Sequence, residues 1–183
     1  MTETATLSQK AKINLEQGDL EGAIGLYVQA AESFAKEKAY ADVVTVLGNL
    51  ARIDESNSQV YLAQAIWLSL AIELPFQGLL RLFLALFQLL PQDNDIVPLI
   101  GTTIIYSCSE FEEEHPELEK YQELGISILQ ATALARGIEG EEAFKTWFVE
   151  NELDDPDLFL VELIEKLEAC VGDNWLFDRA EFN

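Results

Sequence analysis

Apolar residues recur every three or four positions along most of the chain, which is the spacing of one face of an α-helix. The clearest early run consists of Leu20, Ala23, Ile24, Tyr27, Ala30 and Phe34. Similar runs begin at Tyr40, Val60 and Leu160, and clusters of Gly, Pro, Asp and Asn separate them. The pattern predicts about nine helices, over residues 7–17, 19–35, 39–53, 57–73, 76–90, 95–110, 116–136, 140–150 and 156–171.

Taken in order, these helices form pairs whose first members begin near residues 7, 39, 76 and 116. The starts are 32, 37 and 40 residues apart, a spacing typical of stacked helix-pair repeats. We therefore expect an all-α fold: an irregular array of about four helical hairpins plus a C-terminal capping helix. We expect the array to form a single domain over residues 1–183.

Small residues indicate close helix contacts in the first pair. Gly18 is expected in the turn between the first two helices, because a residue without Cβ adopts a tight turn readily. Ala23 and Ala30 lie seven positions apart, on nearly the same side of a helix, and would let it approach a neighbour closely. Tyr27, between them, is expected to fill the space between layers.

The stretch "LSQKAKINLEQGDLEGAIGLYVQAAESFA", residues 7–35, resembles a tetratricopeptide repeat. The matching positions are Ala11, Gly18, Leu20, Ala23, Tyr27 and Ala30. The resemblance implies a superhelical, TPR-like solenoid with a concave groove for a partner peptide or helix. Ser8 and Lys12 occupy the first-helix positions that carry Lys and Asn in members that clamp a C-terminal carboxylate, so that clamp is not expected here. Ser8, Lys12 and Glu16 are candidate partner-binding residues.

Two apolar stretches in the middle of the chain each have two interpretations. Residues 79–90, "LLRLFLALFQLL", are apolar nearly all round, but Pro75 and Pro91 bracket only 15 residues, fewer than the ~20 that span a bilayer. We expect a helix buried by neighbours on both sides. Residues 96–107, "IVPLIGTTIIYS", are rich in β-branched residues, as in a strand. The repeat rhythm favours a helix, with Pro98 in its first turn, where a missing N–H is harmless.

Charge and composition exclude several classes of partner. The chain has 33 acidic against 11 basic residues, a formal net charge of −22. Nucleic acid is not expected as a direct ligand, because phosphate contacts need clustered cations. A membrane span is not expected either. The N-terminus, "MTETATLSQKAK", lacks the apolar region of a secretory signal, and two cysteines are too few for a disulfide scaffold, so we expect a cytoplasmic protein.

The acidic excess is concentrated in residues 111–183, which carry a net charge of −15. Glu112, Glu113 and Glu114 are consecutive there. An acidic surface can serve solubility alone, but a net charge of about 2–8 suffices for a small domain. Two interpretations therefore stay open: this part serves solubility, or it recruits a partner protein rich in Lys or Arg, with these three glutamates taking part.

No catalytic, metal or cofactor site can be assembled from the sequence. Glu112 and His115 have a Glu-x-x-His spacing, but a di-iron bundle needs that pair twice and the chain has one histidine. A serine–histidine–acid set would depend on the same residue. Cys108 and Cys170 are interpreted as packing residues, because nothing near them in sequence supplies an activating positive charge.

The C-terminal tail, residues 172–183, contains an aromatic group with two interpretations. Trp175, Phe177 and Phe182 are costly to expose, so the tail is expected to fold back onto the scaffold. Alternatively, Trp175 belongs to a short segment that docks on a partner.

The sequence therefore predicts a non-enzymatic protein–protein adaptor, which binds its partner in a groove, by its acidic C-terminal surface, or both. A second hypothesis is a carrier of an apolar small molecule, which a cavity near Trp67, Phe83 and Phe87 would support. A third is an enzyme built from carboxylates, whose sign would be a strongly raised carboxyl pKa in a cleft. The oligomeric state is not assigned.

Overall fold

The computed structural model describes residues 3–109 and 116–182, and these residues are all helical or in connecting turns. Within them lie two short 3₁₀ helices, Glu55–Asn57 and Arg179–Phe182, and nine α-helices. The α-helices are α1 (Glu3–Glu16), α2 (Leu20–Lys36), α3 (Tyr40–Ile53), α4 (Ser58–Ala71), α5 (Phe76–Leu89), α6 (Ile96–Ser109), α7 (Pro116–Ala135), α8 (Glu141–Glu150) and α9 (Pro156–Val171).

The helices agree closely with those that the apolar pattern predicts. Helix α1 begins four residues earlier than expected, and the ends of the others lie within two residues of their predicted positions. Residues 96–107 are helical, as predicted, and Pro98 is the third residue of α6. A proline in a first helical turn loses no hydrogen bond, because the N–H groups there have no partner within the helix.

The described chain divides into two compact units. Unit 1 comprises residues 3–82 and 168–182, and unit 2 comprises residues 83–109 and 116–167. The division falls inside α5 and inside α9. The expectation of one domain stays a prediction, which the number of unfolding transitions tests.

In unit 1, helices α1 to α4 pack in chain order, α1 against α2, α2 against α3, and α3 against α4. Gly18 turns the chain between α1 and α2 with a φ of +80°, as its small size predicts. Asp19 then caps α2, because its carboxylate accepts the N–H of Gly22 at 2.9 Å. Ala23 and Ala30 are completely buried.

Helix α4 contributes a long run of buried residues to the core of unit 1. Its residues 61–69 are all buried, including the polar side chains of Gln64 and Ser69. The hydroxyl of Ser69 donates to the carbonyl of Ala65 at 2.6 Å, which satisfies it within the helix. Gln64 is too long for such a local bond and needs a partner elsewhere.

In unit 2, α6 packs closely on α7, although the sequence pairs α5 with α6 and α7 with α8. Two glycines explain the approach. A Cβ atom on Gly125 would lie 2.6 Å from Cγ1 of Ile105 and 2.7 Å from the carbonyl oxygen of Gly101. The two helices therefore meet nearly backbone to backbone at this point.

Helix α5 differs from its prediction in burial. Leu79, Leu80, Phe83 and Leu86 are buried, whereas the opposite side of the helix is exposed, with Arg81 on it. The expectation of burial on both sides is therefore wrong, because the polar positions fall on one face of the helix. Within the described residues, no helix combines the length and the apolar character that crossing a membrane requires.

Candidate functional site

The end of the chain folds back onto unit 1 and lies against α2, α3 and α4. We call residues 172–182 the C-terminal segment. It leaves α9 through Gly172, whose φ is +58°, and ends in the 3₁₀ helix Arg179–Phe182. Trp175 and Phe177 of this segment lie against Trp67 of α4.

Gln64 of α4 holds the main chain of the C-terminal segment. Its Nε2 donates to the carbonyl oxygen of Asn174 at 3.0 Å, and its Oε1 accepts the N–H of Leu176 at 2.9 Å. Gln64 is completely buried. A buried amide without partners costs about 1–3 kcal/mol, and the docked segment satisfies both ends of this one.

Trp67, three residues further along α4, forms a platform for the aromatic side chains of the segment. Its ring centroid lies 5.4 Å from that of Trp175, 5.9 Å from Phe177 and 5.7 Å from Phe182. Such aromatic pairs each contribute about 0.5–1.5 kcal/mol beyond the area that they bury. The indole N–H of Trp67 donates to Glu168 at 3.1 Å, so its polar atom is satisfied.

Arg179 fixes the middle of the segment by two contacts. Its guanidinium lies 4.6 Å from the ring centroid of Trp175 and forms an ion pair with Glu168 at 2.9 Å. A planar guanidinium suits both contacts, because it stacks on an aromatic face while its edge donates to a carboxylate.

Glu181 fixes the end of the segment to α3. Its carboxylate accepts a hydrogen bond from the hydroxyl of Tyr40 and lies 3.5 Å from Nζ of Lys38. The ring of Tyr40 packs edge-on against Phe182 with centroids 4.7 Å apart. The hydrogen bond to Glu181, aided by burial and by the carboxylate charge, raises the pKa of Tyr40 to about 12.

Three cavities border the segment, of about 530, 340 and 580 Å³. Tyr40 lines the first, Tyr61 the second and Glu168 the third, while Trp175 lines all three. The indole therefore lies where three surface clefts meet, each of them open to solvent. Its Nε1 is buried and has no hydrogen-bond partner among the described residues.

The structure does not bring the predicted site residues together. Ser8, Lys12 and Glu16 lie on α1, where Ser8 is half-buried and the other two are exposed. Trp175 lies against α4. Glu112, Glu113 and Glu114, like His115, lie outside the described residues, so their role stays a prediction.

Sequence reasoning missed Gln64 and Glu168. The signal for Gln64 was available, because it is a single long polar residue in the otherwise apolar stretch "YLAQAIWLSLA". A polar residue on a helix that is buried all round needs a hydrogen-bond partner from outside the helix. Glu168 gave no such signal, because it belongs to an acidic series on α9.

Unit 2 contains a second polar cluster, at the start of α6. Asp95 forms ion pairs with Arg136 at 2.9 Å and Lys166 at 3.2 Å. The hydrogen bond from Lys166, followed by the positive charges of Lys166 and Arg136, lowers the pKa of Asp95. This direction is opposite to that of a carboxyl group poised to donate a proton. The cluster joins Asp95 to helices α7 and α9.

Two further kinds of chemistry depend on the cysteine thiols and on clusters of metal-binding side chains among the described residues. Burial raises the pKa of both Cys108 and Cys170, which disfavours the reactive thiolate. Residues 3–109 and 116–182 hold no group of three or more side chains that could bind a metal ion.

Comparison with known proteins identifies no relative. No family model, no curated protein and no solved structure matches this chain.

Proposed function

We propose that this protein is a non-enzymatic adaptor, which binds a segment of a partner protein on the helical surface of unit 1. One observation carries the proposal: the buried amide of Gln64 holds the main chain of an eleven-residue segment at two points. A surface that binds a chain segment through its main chain and through aromatic contacts has the features of a peptide-binding site.

The tetratricopeptide resemblance remains part of this proposal. It is supported by the packing of α1 to α4 in chain order and by the buried positions of Ala11, Ala23, Tyr27 and Ala30. Helical hairpins that stack in this way commonly present binding surfaces. The cytoplasmic location is also proposed, and the acidic residues would add attraction for a basic partner.

The test is affinity capture with the immobilised full chain from an extract of its native cell. We expect a protein to be enriched over an unrelated bait of similar net charge, with cross-links to Lys36 or Lys38 at the site. A variant with Glu112, Glu113 and Glu114 changed to Gln, compared at two salt concentrations, separates the acidic contribution. If no protein is enriched over the charge-matched bait at physiological salt, the adaptor function is wrong.

A further inference from the structure

Resting on the adaptor function, we propose that the C-terminal segment is a built-in competitor for the peptide site. The partner then carries a segment of the same chemistry: two aromatic side chains two residues apart, followed by an arginine. In this chain the pattern is Trp175, Phe177 and Arg179.

The Gln64 contact binds main-chain groups that any peptide can present when it bends as this segment does at Leu176. Its amide bonds the carbonyl of Asn174 and the N–H of Leu176, two residues apart, and touches neither side chain through these bonds. A foreign segment offers the same two groups regardless of sequence. Gln64 therefore supplies affinity without choosing among sequences.

Sequence preference comes from the side chains of unit 1 that surround Gln64. Trp67 contacts the rings of Trp175 at 5.4 Å and of Phe177, two residues later, at 5.9 Å, and the ring of Phe182 at the end of the segment at 5.7 Å. Glu168 receives the guanidinium of Arg179 at 2.9 Å. The contacts of Trp175, Phe177 and Arg179 define the partner segment as aromatic, any residue, aromatic, any residue, arginine.

The built-in segment is an imperfect occupant, which leaves room for a better one. The Nε1 atom of Trp175 is buried without a hydrogen-bond partner among the described residues, and its ring borders three cavities. A partner with Phe at this position would bury no unpaired N–H, and one with longer flanking side chains would make further contacts in the open clefts beside it.

The attachment of the segment determines how it competes. It is joined to α9 by Gly172 and Asp173, both exposed. A short tether gives an effective concentration of roughly a millimolar, so a weak contact within the chain still blocks partners of modest affinity. Release of the segment therefore controls access to the site.

The experiment measures binding of a fluorescent peptide of residues 172–182 to the full chain. We compare the wild type with a full-length variant that carries Trp175→Ala and Phe177→Ala, whose own segment competes weakly. The peptide should bind the variant at least about tenfold more tightly than the wild type, because the site is open. Adding Gln64→Leu to the variant should weaken binding by about tenfold or more.

Three controls accompany these measurements. Gln29→Leu changes an exposed glutamine on α2 and should leave binding unchanged. A peptide that carries the same two alanines should not bind. A peptide with Arg179→Gln should bind a few-fold more weakly, with less dependence on salt, because one ion pair is lost.

A variant that stays helical by circular dichroism but fails to bind the peptide overturns the inference. If the variant unfolds, a protease site inserted after Gly172 and cut in the folded full chain replaces it. Exchange of the cut segment for labelled peptide supports the inference, and failure to exchange overturns it, because the segment is then a permanent part of the unit 1 core. Exchange of segments between two copies, seen as a dimer, overturns it too, because the occupant is then this chain itself.

The result is separable from the adaptor function. If the peptide fails to bind but the full chain still captures a partner from the extract, only the competitor and the partner pattern are wrong. If both fail, the adaptor function is wrong as well.

Discussion

Units 1 and 2 bring their helices together by different means. In unit 1, the C-terminal segment lies on α4 through aromatic rings and the Gln64 amide. In unit 2, α6 and α7 meet at Gly101 and Gly125, where the main chains themselves come into contact. A segment that lies on the surface of a unit can open while the helices beneath it stay folded and lose only the protection that it gave them, whereas a helix crossing opens only when the unit itself does. The two units therefore differ in which of their contacts can open locally.

The polar contacts of the two units also differ, because Gln64 of unit 1 is buried and Asp95 of unit 2 is exposed. The amide of Gln64 is completely buried and bonded to main-chain groups of the segment. Asp95 of unit 2 forms ion pairs, but its side chain is 62% exposed. A buried amide depends strongly on its partners, while an exposed ion pair contributes little to stability. Removing the segment should therefore affect unit 1 more than breaking the ion pairs affects unit 2.

Phe177→Ala should have the largest effect. Phe177 is 7% exposed and contacts Trp67 and Trp175, and truncating a buried Phe costs about 3–5 kcal/mol. We expect about 3 kcal/mol, because a terminal segment can leave rather than retain a cavity. Hydrogen exchange of the α4 amides measures the loss locally. Leu20→Ala, at a position 48% exposed, is the control and should cost less than about 1 kcal/mol. Unchanged exchange in α4 would contradict the docked arrangement.

Gly125→Ala should destabilise unit 2 by about 1–2 kcal/mol. Overpacking against Ile105 and Gly101 costs about 1–3 kcal/mol, and the better helix propensity of Ala returns up to about 1 kcal/mol. Gly25→Ala on α2 is the matched control, because a Cβ there meets nothing within 4 Å. It should stabilise by about 0.5–1 kcal/mol. Urea unfolding followed by circular dichroism measures both changes, and two shifts of the same sign would refute the close crossing.

The helices were predictable from sequence because helical periodicity is a local property. The pattern of apolar residues predicted even α6, although its β-branched residues favour a strand. The length of this stretch and its place in the series of helix pairs outweighed the local strand propensity. The close pairing of α6 with α7 was not predictable, since it depends on Gly101 and Gly125, which are far apart in sequence. The error at α5 has another cause: only Arg81 and Gln88 interrupt the apolar stretch 79–90, yet they mark an exposed face.

The site was only partly predictable, because its residues come from separate parts of the chain. The aromatic tail was foreseen from the cost of exposing Trp175 and Phe177. The candidates Ser8, Lys12 and Glu16 came from a family resemblance and lie on α1, whereas the segment lies against α2, α3 and α4. Gln64 and Glu168 are 104 positions apart, and only the fold shows that they contact the same segment.

Asp95→Asn should have a smaller, pH-dependent effect on unit 2. The pKa of Asp95 is lowered, first by the hydrogen bond from Lys166, so the charged form stabilises the folded state. A lowered pKa gives a contribution that is fully present above the ordinary value of 3.8 and is lost as the pH falls through the folded-state pKa.

We therefore expect Asp95→Asn to cost about 1 kcal/mol or less at neutral pH, with the difference from wild type shrinking below pH 3.8. Urea midpoints measured across this range provide the comparison. Asp93→Asn is the control, because Asp93 contacts Arg136 through its main-chain oxygen, at 3.1 Å, which the substitution keeps. An effect of Asp95→Asn that does not change with pH would contradict the ion-pair account.

The smallest expected effect is spectroscopic, and it reports directly whether the segment is docked. The hydrogen bond to Glu181 raises the pKa of Tyr40 to about 12, and Glu181→Gln should return it toward 10. Tyr61 serves as an internal control: its pKa is also about 12, but the causes are burial and Asp54, so it should not move. A raised tyrosine pKa favours the folded state fully below the unfolded value near 10, and this contribution is lost as the pH rises through about 12. Carbon NMR of labelled tyrosines resolves the two titrations. If Tyr40 keeps its high pKa in Glu181→Gln, the segment does not determine its ionisation. If it shifts, the same resonance should also shift when a competing peptide that carries Glu181→Gln displaces the segment, whereas no tyrosine of unit 2 should respond.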